Sequence, residues 1–344
     1  MADKMQAVVQ RNKDSKPMLS KEAIPKPKFE DHQALVKLSH VAQNPTDVQS
    51  FDRNAFGDGS VFGCDFAGTV EEVGKTVTRV KKGDNIAGLI WGGEIKGLGA
   101  YAEYTVADER ISFKIPPSIS SAAASTVPLA AATAWLAMFS KDSLHISRNS
   151  PTTILVWGGS SSVGLYTIQL ARTQNLTVIT TCSPRNFDLV KSVGAQHVFD
   201  YSDADVVNKI KQVAPDLQYV FDTIGNESSS AIASKAIREQ GGGLCTVRPG
   251  KANTEKCTGH TKVTDVLVWT AFLKDHAYGD FKWPANKDDH ELAAELFEKL
   301  PEWLEKGAVK PNAQTVKKGL EKVGDGFQEY RDGKISAYKI VYEV

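Results

Sequence analysis

The chain has 344 residues, and its 41 Lys and Arg are matched by 41 Asp and Glu. A single core rarely grows past about 250–300 residues, so two domains are expected, and a formal net charge of zero gives no excess of positive surface for nucleic acid or anionic lipid. The longest apolar stretch, 127–139, is too short to span a bilayer and no basic-then-apolar leader opens the sequence, so the expectation is a cytosolic enzyme without membrane or nucleic-acid partners.

From the N-terminus, residues 5–9, 34–41, 66–73, 84–90 and 100–106 are short runs rich in Val, Tyr and Ile, separated by Gly, Asn, Asp and Pro. They predict a β-rich first region. Asn44-Pro-Thr-Asp-Val-Gln49 leaves a strand and enters a turn, with Asn44 and Asp47 as local caps. Glycines flank a strand start in Gly63-Cys-Asp-Phe-Ala-Gly-Thr-Val70. From Ser120 the pattern changes, because 120–124 and 129–139 are Ala-rich and suit helices.

The apolar run Ile154 to Trp157 reads as a buried strand, broken by Gly158 and Gly159. Three serines and Gly164 follow, leading into an apolar periodicity at Val163, Tyr166, Ile168, Leu170 and Ala171. Strand, glycine turn, helix is the context a dinucleotide pyrophosphate needs, since glycines let the backbone approach and the helix N-terminus offers N–H groups and a positive dipole end. The spacing is not a regular G-x-G-x-x-G, because Ser161 and Ser162 stand where glycines occur in that fingerprint. Strands at 176–181, 197–199, 218–222 and 243–247 then alternate with helices at 187–193, 204–213 and 228–238, the rhythm of a parallel sheet with right-handed crossovers. Beyond Lys251 the chain is irregular until amphipathic helices at 288–306 and 317–331. A closing strand within 335–344 is expected to pair with the N-terminal sheet.

The residue that reads the adenosine ribose should lie about 20 residues past the glycine turn. That place holds Thr180-Thr-Cys-Ser-Pro-Arg-Asn186, with no acidic side chain to bind the ribose hydroxyls of NAD. Ser183, Arg185 and Asn186 offer a cation and neutral donors that suit a 2′-phosphate, so NADPH is favoured over NADH; the bland alternative is a solvated Arg185 opening a helix. Cys64, Cys182, Cys245 and Cys257 form no C-x-x-C pair and read as small buried hydrophobes rather than a zinc knuckle or a disulfide framework.

Asn44-Pro-Thr-Asp47, Gly63-Cys-Asp-Phe-Ala-Gly68, Gly99-Ala-Tyr-Ala-Glu-Tyr104, the glycine turn and the terminal 334–344, in this order, resemble the medium-chain dehydrogenase/reductase superfamily over essentially the full length. Gly158-Gly-Ser-Ser-Ser162, residues 181–192 and Val198-Phe-Asp-Tyr201 are most similar to the fungal trans-acting enoyl reductases that serve polyketide synthases, of which the lovastatin enoyl reductase is one. The resemblance implies an α/β fold, with a GroES-like β-rich domain from 1–122 and 275–344 and a Rossmann domain, a doubly wound parallel sheet, at 123–274. It places Thr46, Asp47, Val48 and Gln49 near the nicotinamide, and Ser160, Ser161, Ser162 and Val163 at the pyrophosphate. Ser183, Pro184, Arg185 and Asn186 would hold the 2′-phosphate, with Tyr201 near the adenine ribose. Val247, Arg248, Ile335 and Ser336 complete the implied cofactor site. Thr133, Ala134, Trp135, Leu136, Ala137, Met138, Phe139 and Ser140 match segments lining the substrate pocket, as do Thr270, Ala271, Phe272, Leu273 and Lys274; core and loop packing is the alternative for both. Relatives often carry Lys where this chain has Gln49.

Zinc alcohol dehydrogenases of this superfamily need a Cys near the first signature, a His-Glu pair near the second and a further ligand before the Rossmann domain. The corresponding places here hold Asn44, the Cys64-Asp65 pair and Pro128-Leu-Ala130, so no zinc is expected. The implied reaction is hydride transfer from NADPH to the β-carbon of an α,β-unsaturated carbonyl, whose conjugation supplies the electron sink. Backbone N–H groups or a hydroxyl such as that of Thr133 would meet the enolate oxygen, and no proton donor stands out. The substrate is expected to be small or carrier-bound, with a polyketide synthase as partner and the protein itself a monomer. A zinc-free quinone or alkenal reductase and a non-catalytic NADPH-binding protein remain the alternative readings.

Overall fold

A computed structural model describes residues 3–14, 16–148, 151–278 and 281–344. Two compact units emerge, one of Met1–Leu129, Trp269–Gly307 and Pro311–Val344, the other of Ala130–Val268 and Ala308–Lys310. The boundaries therefore fall at 129/130 and 268/269 rather than at the expected 122/123 and 274/275. Local contacts explain both shifts. The Leu129 N–H donates to Asp65 Oδ1 at 2.6 Å, and Trp269 stacks on Trp91 with ring centroids 4.5 Å apart, so both flanking segments belong with the first unit.

The first unit opens with an antiparallel hairpin of β1 (Lys4–Lys13) and β2 (Lys16–Pro25). Then follow β3 (Gln33–Ala42), α1 (Pro45–Asp52), β4 (Asp65–Val73), β5 (Asn85–Leu89), β6 (Tyr104–Asp108) and β7 (Ser112–Lys114). The short α2 (Ser121–Ala124) leads to α3 (Pro128–Phe139), and the unit boundary falls inside α3. Residues 121–139 are long and apolar enough to cross a membrane, but 94% of that stretch is buried in the fold, which marks it as core.

In the second unit, β8 (Thr153–Trp157), α4 (Ser162–Thr173), β9 (Thr177–Cys182), α5 (Phe187–Ser192), β10 (His197–Asp200), α6 (Val206–Val213), β11 (Tyr219–Asp222), α7 (Ser229–Ser234), β12 (Gly242–Thr246) and β13 (Thr261–Asp265) alternate as expected, with β13 as a further strand. The six strands pair in parallel in the order β10-β9-β8-β11-β12-β13. This is the doubly wound order, with its switch point between β8 and β11. Leu155, Ile179, Val220 and Leu244 of four of these strands are fully buried, as a sheet covered on both faces requires.

The chain returns to the first unit with β14 (His276–Tyr278), β15 (Phe281–Trp283), α8 (Lys287–Glu305), β16 (Gln314–Lys318), α9 (Val323–Arg331) and β17 (Lys339–Glu343). Asn286 caps α8, its Oδ1 accepting from the Asp289 N–H, and Ala293, Leu296, Phe297, Leu300 and Leu304 form its buried face. The helix expected at 317–331 begins only at Val323. Lys317 and Lys318 belong to β16, an exposed strand at the sheet edge, where lysines discourage further pairing. A seven-stranded sheet runs β16-β17-β3-β4-β5-β7, with β6 also on β3. The closing strand therefore pairs antiparallel with β3.

One buried ion pair fastens β17 to β4. Lys339 Nζ lies 2.6 Å from Asp65 Oδ2 and 2.9 Å from Asn44 Oδ1, with 4% and 0% of the two charged side chains exposed. Asn44 Nδ2 donates to the same Asp65 oxygen at 2.9 Å. Removing one partner of such a pair strands a charge in a dry interior. Lys339→Met is therefore expected to destabilise the protein by about 3–5 kcal/mol, seen as a lower urea midpoint, while Lys339→Met with Asp65→Leu recovers much of the loss.

Candidate active site

In the second unit, the residues expected to hold the cofactor lie just past the C-terminal ends of four strands of the parallel sheet. The glycine turn follows β8, Ser183 to Asn186 follow β9, Tyr201 follows β10 and Val247 with Arg248 follows β12. Gly158 has φ +87°, a conformation that side chains resist. A Cβ at Gly159 would stand 2.0 Å from Thr180 Oγ1, so the turn can run this close to β9 only as glycine. Ser161 caps α4, its Oγ accepting from the Gly164 N–H at 2.9 Å. The serines thus do local work that a regular glycine fingerprint leaves to backbone, which accounts for the irregular spacing.

Asp200 pairs in register with Cys182, so Tyr201 stands beside Ser183, and Tyr201 is exposed. Pro184 and Arg185 are exposed, with Ser183 and Asn186 half-buried in and next to the short 3-10 turn that precedes α5. The nearby acid, Asp200, accepts from the backbone N–H and the hydroxyl of Ser202. Across the switch point, Thr223 Oγ1 donates to the carbonyl oxygens of Trp157 and Gly158, each at 2.9 Å, and meets Ser161 Oγ at 2.8 Å. Arg248 Nε and Asn253 Nδ2 both donate to Gly225 O. Thr223, Gly225 and Asn253 were missed from sequence; Asp222-Thr-Ile-Gly225 at the end of β11 is the signal that marks the first two, and none marks Asn253.

In the first unit, Asn44 to Gln49 form α1 and its cap rather than a turn. Only Thr46 and Gln49 of the expected nicotinamide segment are partly exposed, since Asp47 and Val48 are buried. Asp47 is occupied locally. It accepts from the N–H groups of Asn44 (2.8 Å) and Gly63 (3.3 Å), the Cys64 thiol (3.3 Å) and the Tyr101 hydroxyl (3.1 Å). Burial pushes its carboxyl up to about 6 against the opposing effect of the Asn44, Cys64 and Tyr101 bonds. Gln49 Nε2 donates to Tyr330 Oη at 2.6 Å. Ile335 is half-buried and Ser336 exposed, in the loop before β17.

The two expected substrate segments differ. Thr133, Ala134, Trp135, Leu136, Ala137, Met138, Phe139 and Ser140 are all buried, and the Arg148 guanidinium lies over the rings of Trp135 and Phe139. The second segment, in the first unit, is more open. Thr270 Oγ1 donates to Asp289 Oδ2, Ala271 O accepts from His290 Nδ1, Phe272 is half-buried, Leu273 is exposed, and Lys274 pairs with Glu94 at 2.7 Å.

A model of the alcohol dehydrogenase GroES-like domain matches residues 30–117, and one of the zinc-binding dehydrogenases matches 162–257. A trans-enoyl reductase of Alternaria alternata is 34% identical over 334 residues, which cover 94% of this chain and 95% of that protein. Another, of Fusarium heterosporum, is 35% identical over 90% of each chain. The chain belongs to the medium-chain dehydrogenase/reductase superfamily, in the family of the trans-enoyl reductases. The solved CurK enoyl reductase shares the fold at a TM-score of 0.76 over 99% of both chains, with 17% identity. Members of this family use a nicotinamide dinucleotide, and the glycine turn at the switch point is a cradle of the right shape for its pyrophosphate.

The donor set at the places where zinc relatives hold their metal does not fit one. The Lys339 ammonium is already closed on Asp65 and Asn44. Burial raises the Cys64 thiol well above its ordinary range, aided by neighbouring Asp47, whereas a metal needs the thiolate. No cluster of three His, Cys, Asp or Glu side chains suited to a metal occurs among the described residues.

The Asp47 shift has a pH signature. Its folded value, about 6, lies above the ordinary 3.8, so its contribution to stability is complete below about pH 4 and is lost as pH rises through 6. Urea titrations of wild type and Asp47→Asn are expected to show the wild-type advantage shrinking by roughly 3 kcal/mol from pH 4 to pH 7.

Proposed function

We propose that this protein is an NADPH-dependent enoyl reductase that acts in trans. It delivers hydride to the C=C bond of an α,β-unsaturated acyl thioester presented by a carrier domain of a polyketide synthase. The observation that carries the reading is the Lys339–Asp65–Asn44 cluster, a fixed ammonium where a metal dehydrogenase would need an open Lewis acid. Alcohol oxidation without that acid lacks a means of stabilising the alkoxide. A double bond conjugated to a thioester carbonyl needs none, because the carbonyl oxygen takes up the charge. The names of the relatives point to the same reaction.

A bound nicotinamide supplies the hydride. The chain's own part is to bind and orient. The glycine turn and the α4 N-terminus receive the pyrophosphate, and Thr223 holds Ser161 and the Trp157–Gly158 backbone in place from the neighbouring strand end. Ser183, Arg185 and Asn186 receive the 2′-phosphate, a choice supported by the lack of an acid among them and by the engagement of Asp200 with Ser202. Thr46 and Gln49, with Ile335 and Ser336, are the groups of the first unit that we assign to the nicotinamide end. The site works without zinc.

Purified protein is expected to oxidise NADPH in the presence of a 2-enoyl thioester and to use NADH poorly. Arg185→Ala should raise KM for NADPH by roughly ten- to a hundredfold, the worth of one charge-assisted hydrogen bond, and leave the NADH rate nearly unchanged. Equal rates with the two cofactors in the wild type would overturn the assignment.

A further inference from the structure

The reaction needs a proton at the α-carbon, and one side chain of the first unit is built to supply it. His276, the first residue of β14, has 1% of its side chain exposed. Its Nδ1 lies 2.9 Å from Glu94 Oε1, and Lys274 Nζ lies 2.7 Å from the other Glu94 oxygen. The ring sits 4.9 Å from Trp91 and 5.8 Å from Phe272. Its other nitrogen, Nε2, is buried with no hydrogen-bond partner, and among the described residues it is the only titratable group left so. A buried polar nitrogen without a partner is costly, and a group that arrives from outside explains why the fold retains it.

Glu94 determines what that nitrogen can do. The carboxylate accepts the Nδ1 proton, which fixes the orientation of the ring and leaves Nε2 as the nitrogen that can pass a proton to an incoming group. Two further observations point to an acyl ligand. The residues adjoining Glu94 and Lys274 in sequence, Ile95 and Leu273, are large and apolar yet 49% and 51% exposed. Tyr278 of the same strand packs on Phe56 at 5.3 Å and meets Ser50 Oγ of α1 at 3.5 Å, so the dyad shares an aromatic cluster with the helix that carries Thr46 and Gln49.

We propose that His276, oriented by Glu94, is the acid that protonates the α-carbon of the reduced acyl group. The inference rests on the enoyl-reductase reading. Hydride adds to the β-carbon, the π pair moves toward the thioester carbonyl to form an enolate, and the enolate α-carbon takes the proton from Nε2. The imidazole left behind is neutral and is reprotonated by solvent. Glu94 is a positioning residue, and Lys274 shares its charge.

The test uses the full-length protein, NADPH and crotonyl thioester. His276→Gln is expected to lower kcat by about a hundredfold or more, with NADPH binding by fluorescence unchanged and with added imidazole restoring part of the rate. Glu94→Gln should lower kcat by about tenfold with KM for NADPH unchanged, a split that a merely structural role would not produce. This second variant decides the matter if His276→Gln does not fold. Wild-type kcat in a folded His276→Gln, or an unchanged kcat in Glu94→Gln, overturns the inference alone. A wild type that never oxidises NADPH with the thioester overturns the functional reading together with it.

Discussion

The contact between Lys339 and Asp65 is the constraint on which the first unit depends. The chain leaves that unit inside α3 and returns at Trp269, so its last strand must find a sheet formed by residues far earlier in sequence. Backbone pairing of β17 with β3 supplies register, and the buried ammonium fixes it by binding the first residue of β4 and the residue that precedes α1. A charge pair in so dry a place adds little net stability compared with apolar packing, but it tolerates no slippage, since any shift leaves both charges unpaired. The same ammonium closes Asp65 and Asn44 to other partners, and the reaction we propose is accordingly one whose substrate carries its own electron sink.

The second unit follows a different logic. A parallel sheet collects the ends of its strands on one edge, and the reversal of strand order between β8 and β11 opens a crevice there. This chain fills the crevice with small polar groups tied to one another. Ser161 caps the helix, Thr223 bridges from the adjacent strand end, and glycine stands where a Cβ would strike Thr223 and Ile224, β9 or the turn itself. We assign the selectivity for one cofactor over another to the segment one strand further out, after β9.

Much of this was legible in the sequence, because it is written in local patterns. The strand-helix alternation from 153 to 246 and the glycine turn each depend on neighbours a few residues apart. The failures have a common cause. β2 presents half-exposed alternation without a fully buried side chain, and β16 is an edge strand with four of its five positions exposed, so neither shows an apolar signal. Asp47 could be named as a cap, yet its three further donors come from Gly63, Cys64 and Tyr101. Glu94 and His276 are separated by 182 residues, and Asn44 and Lys339 by 295; no spacing rule connects them. Only the folded chain shows which charges meet.

A site that reduces a conjugated double bond without metal, as we propose, should survive a chelator: the purified protein is stripped of divalent metal, and NADPH oxidation by an enoyl thioester is measured alongside NADP-dependent oxidation of a simple alcohol. Undiminished thioester reduction and no alcohol oxidation are expected. Loss of thioester reduction on chelation, restored by zinc, would contradict the proposal.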